Sequence, residues 1–102
     1  MAEMYRQGDV LLTKVSELPK KAVEQKSEGR IVLAWGEVTG HAHAIASDVA
    51  TLYQLGPDRF VVAQPGAALT HEEHATINLT PGVYRVIQQR EYVPGAFRNV
   101  AD

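Results

Sequence analysis

The chain has no cysteine, which excludes disulfide staples, thiolate nucleophiles and thiolate metal sites, so any metal must be held by nitrogen and oxygen. Long apolar runs are missing as well. The longest, Ile31 to Trp35, is far short of a membrane span, and the Met1-Ala2-Glu3-Met4 start does not read as a signal peptide. The expectation is a cytoplasmic protein with no membrane partner. An excess of positive charge is absent too: 10 Lys and Arg stand against 12 Asp and Glu, a formal net charge of -2. That balance supplies no drive toward phosphate backbones, which makes nucleic acid a poor candidate partner. Glycines fall singly at turns, so no phosphate-cradling loop is present, and Ser16, Ser27 and Ser47 lack the context of a nucleophile elbow. Trp35, the one tryptophan, is expected in the core or at a subunit interface.

What the chain does have is 102 residues, 45% of them hydrophobic, enough for one globular domain spanning residues 1–102 with a single sizeable core. Apolar residues alternate, or come in short runs between Gly and Pro breaks, and no long segment keeps the i, i+3, i+4, i+7 spacing of a helix. The spacing predicts strands over Tyr5 to Lys14, Arg30 to Trp35, Val38 to Ala46, Ala50 to Leu55, Arg59 to Gln64, Ala67 to Thr70, Ala75 to Leu79 and Val83 to Val93. The turns Ser47-Asp48, Gly56-Pro57-Asp58, Pro65-Gly66 and Pro81-Gly82 separate them. An all-β fold follows, a small barrel or sandwich. Glu17 to Glu28, rich in charge, reads as a solvated loop or a single helical turn. Ala50 to Leu55 carries no Lys or Arg and reads as an unguarded edge strand, which predicts a homodimer or larger symmetric assembly. The far end of the last strand, Gln88 to Tyr92, reads as an edge strand or as the mouth of a pocket.

Charge is distributed unevenly. From Val38 to Tyr84 the formally charged residues are Asp48, Asp58, Arg59, Glu72 and Glu73, and the first three fall at predicted turns. All four histidines, His41, His43, His71 and His74, lie in this charge-poor half. On a strand His41 and His43 share a face with Ile45, so two imidazoles one pleat apart can reach a common ion. The segment Thr70-His71-Glu72-Glu73-His74 permits three conformations: a capped helical turn, a tight hairpin with Glu72-Glu73 at its tip and the histidines facing each other, or a continuous strand. Asp9, on a face with Gln7 and Leu11, is a candidate to orient an imidazole or, beside Gly8, a turn residue.

Sites built from histidine and carboxylate commonly leave a position open for water or substrate, so these residues point to a divalent transition metal (Zn, Fe, Mn or Ni) and to a small-molecule ligand or substrate. A non-catalytic binding or assembly module, with the histidines in packing or metal-linked rigidity, is the competing reading. A third is metal-free acid-base catalysis by a histidine with Glu72 or Glu73.

The pattern Gly36-x4-His41-x-His43-x4-Asp48-x7-Gly56 resembles the first cupin motif, and Pro65-Gly66 with His74-x3-Asn78 resembles the second. The resemblance implies a cupin-like barrel with His41, His43 and His74 as metal ligands and Asp48 where that family has its Glu. His71 has no counterpart in it. The segments Tyr5 to Leu12 and Pro81 to Tyr92 resemble a group of small uncharacterised bacterial and phage-type proteins, a likeness that implies no activity.

Overall fold

The computed structural model describes residues 3–36 and 38–89. Every regular element in them is a strand: β1 (Met4–Gln7), β2 (Val10–Val15), β3 (Val23–Gln25), β4 (Arg30–Trp35), β5 (Ala42–Ala46), β6 (Ala50–Leu55), β7 (Asp58–Ala63), β8 (Ala68–His71), β9 (His74–Asn78) and β10 (Gly82–Gln88). They form two antiparallel sheets, β1-β2-β10-β7-β6-β3 and β4-β5-β8-β9. Both sheets are open, so among the described residues no barrel closes. Among the described residues no helix is long and apolar enough to cross a membrane.

Period-2 alternation builds the core. Val10 and Leu12 of β2, Val61 and Ala63 of β7, and Tyr84 and Val86 of β10 point from the first sheet toward Ile31, Leu33, Ile45 and Leu69 of the second. Tyr84 pairs with Val61, and Val86 with Leu12. The Tyr84 hydroxyl donates back to the Thr80 carbonyl, fixing the corner through which the chain enters β10.

Several sequence expectations are corrected. Tyr5 to Lys14 is a hairpin, because Gly8, at φ +60, opens a two-residue turn that pairs Gln7 with Val10. A three-residue strand, β3, forms inside the stretch expected as loop or helical turn, and it pairs with β6. β6 is therefore covered on both sides, by β7 and β3, and is no edge. β7 begins at Asp58, one residue earlier than expected, and the Arg59 guanidinium donates to the Leu33 carbonyl at 2.8 Å. Trp35 is 63% exposed, which removes it from the core, and Arg30 stacks over its ring at 5.9 Å. β10 stops at Gln88. The part of the expected last strand from Arg90 to Val93 lies outside the described residues.

Two β-bulges flank one end of the second sheet. In β4 the pairing passes from Val32↔Ala44 to Ala34↔His43, leaving one extra residue on β4 opposite the histidine. In the β8–β9 hairpin it passes from Leu69↔Ile77 to His71↔His74, leaving one extra on β9. A bulge adds local twist and re-aims neighbouring side chains, and here the side chains beside both bulges are imidazoles.

Candidate metal centre

His71 and His74 face each other across the β8–β9 hairpin, with Glu72 and Glu73 as its two-residue tip. Of the three conformations open to this segment, the hairpin forms. The favoured two-residue turns need a positive φ, which neither glutamate has, and the bulge in β9 accommodates the mismatch in strand twist. His43 enters from the adjacent β5, and its ring centroid lies 4.3 Å from that of His71 and 5.5 Å from that of His74. One ligand nitrogen from each of the three rings falls within 4.8 Å of the others. Three nitrogens around one zinc sit about 3.3 Å apart, given bonds near 2.0–2.1 Å, so movements of roughly an ångström close the set.

The remaining sequence candidates are placed differently. His41 precedes β5, in a turn where its N–H donates to the Val38 carbonyl and its own carbonyl accepts from Gly36 N. The strand alternation that would have aligned it with His43 thus never reaches it. Its ring meets the edge of His71 at 5.9 Å, and its Nδ1 is buried with no hydrogen bond, 3.5 Å from Glu73 Oε2. Asp48 is exposed in the turn after β5, at the far end of that strand from the cluster. Glu72 turns away: Oε1 accepts from Ala42 N at 3.0 Å and Oε2 lies 3.9 Å from Arg30. The Ala42 amide holds the Glu72 carboxyl below its ordinary range.

Gln7, for which sequence reasoning finds no role, governs the orientation of His43. It is 3% exposed at the end of β1, and its Nε2 donates to both the Leu69 and the Ala75 carbonyls. Those two bonds use both amide protons, so Oε1, 2.9 Å from His43 Nδ1, must accept. His43 therefore carries its proton on Nδ1, and Nε2 presents a bare lone pair to the cluster, the arrangement a metal-ligating imidazole requires. Burial holds the His43 pKa below the usual histidine value; His71 and His74 push the same way, against Asp9 and Glu72.

His71 is less prepared. Its Nδ1 accepts from Glu73 N at 3.0 Å, so an ion bound there competes with that hydrogen bond. Gly8 covers the opposite side of the cluster. A Cβ added there would stand 3.1 Å from both His43 Cε1 and His74 Nε2, so the hollow in front of the two rings depends on glycine. A cavity of about 370 Å³ opens over the rings, with Asp9 and Glu73 as its carboxylates and Trp35 on its wall. Another, of about 230 Å³ between β3, β6 and the Ser47 turn, has no imidazole in its lining.

The comparisons with known proteins bear on this same stretch of chain. A family model described as a domain of unknown function, DUF8820, matches residues 6–89. The chain belongs to that family. The matched span takes in Gln7, Gly8, Asp9, the three grouped histidines and Gln88. No curated protein and no solved structure matches the chain.

Proposed function

We propose that this protein binds a divalent transition metal, of the zinc, iron, manganese or nickel kind, through His43, His71 and His74. The ion would face the cavity, where a small molecule could complete its coordination. The observation that carries this reading is the fixed tautomer of His43: a buried imidazole with its protonated nitrogen paired to Gln7 and its bare nitrogen turned toward two further imidazoles. His43 is the buried member of the set, His71 is half-buried and His74 exposed, so the bare Nε2 of His43 gains most from a cation that all three rings share. Acidic groups line the cavity, and among the described residues no Lys or Arg does, which favours cation entry. The cupin likeness enters at His43 and His74, with His71 in the place that the likeness gives to His41. An open ion of this kind would polarise a bound carbonyl or lower the pKa of bound water, which makes a metal-dependent enzyme acting on a small molecule the first form of the proposal.

A non-catalytic form is favoured by one observation: Gln7 ties β1 to the backbone of β8 and β9 while holding His43, so an ion there would also fasten strands together. Elemental analysis of untagged protein, grown in zinc-, iron- and manganese-supplemented media, is expected to give about one ion per chain, and His43→Ala to lose it. Sub-stoichiometric metal from every medium would overturn the proposal. Chelation then separates the two forms. Unfolding on metal removal, with a closed Co(II) spectrum, supports the structural form; a surviving fold and an exchangeable ligand support the enzyme.

A further inference from the structure

Asp9 sits at the second position of the β1–β2 turn, where Gly8 with φ +60 lets the backbone double back over the histidines. Its Oδ1 lies 3.4 Å from His43 Nε2. Its other oxygen, Oδ2, accepts from Gln88 Nε2 at 3.1 Å, and its backbone carbonyl accepts from Gln89 N at 2.7 Å. The end of β10 thus holds both the turn and the carboxylate plane, leaving Oδ1 directed at the imidazole.

Because Gln7 places the His43 proton on Nδ1, both atoms of that 3.4 Å contact are acceptors in the neutral ring. Two lone pairs at this separation repel unless a cation lies between them. A metal ion bound to both atoms supplies it. The edge of a coordination tetrahedron with bonds near 2.1 Å is about 3.4 Å long, the spacing found between Asp9 and His43; Asp9 stands outside the set of ligand atoms already within 4.8 Å of one another, so the ion would draw its carboxylate toward His71 and His74.

Resting on the metal-binding reading above, we propose that Asp9 is the fourth protein ligand. The centre is then three imidazoles and one carboxylate, with the carboxylate supplied by the β1–β2 hairpin of the six-stranded sheet and not by Asp48. Gln88 is a positioning residue that leaves Asp9 one free oxygen. The donor set suits a divalent cation with nitrogen and oxygen preference, and with four protein ligands at tetrahedral spacing a small molecule from the cavity would enter as a fifth ligand.

The test compares Asp9→Asn, Glu73→Gln and Asp48→Asn in the full chain, by competitive Co(II) titration and by the Co(II) absorption spectrum. Asp9→Asn keeps the side-chain shape and an oxygen for Gln88. It is expected to weaken Co(II) binding at least tenfold and to shift the visible bands. Glu73→Gln removes the same charge from the same cavity and is expected to weaken binding less than threefold with the bands unmoved. Asp48→Asn is expected to change neither. Equal losses in Asp9→Asn and Glu73→Gln with an unaltered spectrum would reduce Asp9 to a bystander charge and overturn the inference, as would unchanged binding in Asp9→Asn. If Asp9→Asn fails to fold, the carboxylate stretching bands of wild type decide: a shift on metal loading that survives in Asp48→Asn and Glu73→Gln supports Asp9, and no shift overturns it. No Co(II) binding by wild type at all would overturn the metal-binding reading itself, a result distinct from the others.

Discussion

Gln7 and Gly8 are the residues on which the site turns, and each makes a measurable claim. Replacing Gln7 by Met removes the acceptor for His43 Nδ1–H and strands the Leu69 and Ala75 carbonyls. The expected cost is about 1–3 kcal/mol in chemical denaturation, together with a 10- to 100-fold loss of metal affinity. Retention of both values would show that His43 is not oriented by Gln7. Gly8→Ala forces a side chain into a backbone at φ +60 and against two rings, so it is expected to lower stability by about 1 kcal/mol and to weaken metal binding further than that strain alone explains. Differential scanning calorimetry and a chelator competition separate the two effects. The His43 pKa sets a pH dependence. Because burial depresses it in the folded state, the unfolded chain binds the extra proton first, and the associated stability is present above the unfolded value of about 6.5 and is lost as pH falls through the folded one. Metal-free protein should lose melting temperature between pH 7.5 and 5.5, and His43→Gln should flatten that slope.

Among the elements, the strand periodicity was readable and the exceptions to it were not. Arg30 to Trp35, a short apolar run, and Ala50 to Leu55, a mixed one, appear with the bounds expected of them, because each has one face on the core. The H-x-H pair misled for a local reason: the turn over Val38 to His41 ends one residue before Ala42, so a period-2 rule carried back from His43 gives His41 a place it does not have. The bulges have no mark in the sequence, since an extra residue in β4 or β9 is defined only by the partner strand. Gly8-Asp9 did carry a signal, a Gly-X dipeptide inside an alternating stretch, and taking the stretch as one strand hid the hairpin, although Asp9 was readable both as a turn residue and as a carboxylate beside an imidazole. Edge status was unreadable as well, because β3 covers β6 from within a charged segment of low apolar content. Leu52 packs against the core from β6, so Leu52→Lys is expected to destabilise the fold by roughly 2 kcal/mol or more, and not to split an oligomer. Light scattering beside a denaturation curve distinguishes the outcomes, and dissociation of a fully stable protein would count against the pairing of β6 with β3.

At the level of the whole molecule, the bonds from Gln7 join residues 62 and 68 positions apart, and the bond from Gln88 to Asp9 spans 79. Nothing local can assemble this corner. Closing such loops is paid in chain entropy before any contact rewards it, so the corner belongs to the end of folding, after the β6–β7 and β1–β2 hairpins have formed. A metal ion that needs His43 in its Gln7-fixed orientation has little to hold in the transition state. Its stabilisation should appear almost wholly in the rate of unfolding: at free metal a hundredfold above Kd, about 2.7 kcal/mol, or roughly 100-fold slower unfolding, with refolding unchanged. Stopped-flow chevrons with and without metal would show it, and faster refolding in metal would mean the centre forms early. A late-forming centre has a biological corollary: newly made chains would reach a closed fold before they compete for metal, so the ion acquired is set by the metals free around the finished protein and not by whichever one meets the nascent chain.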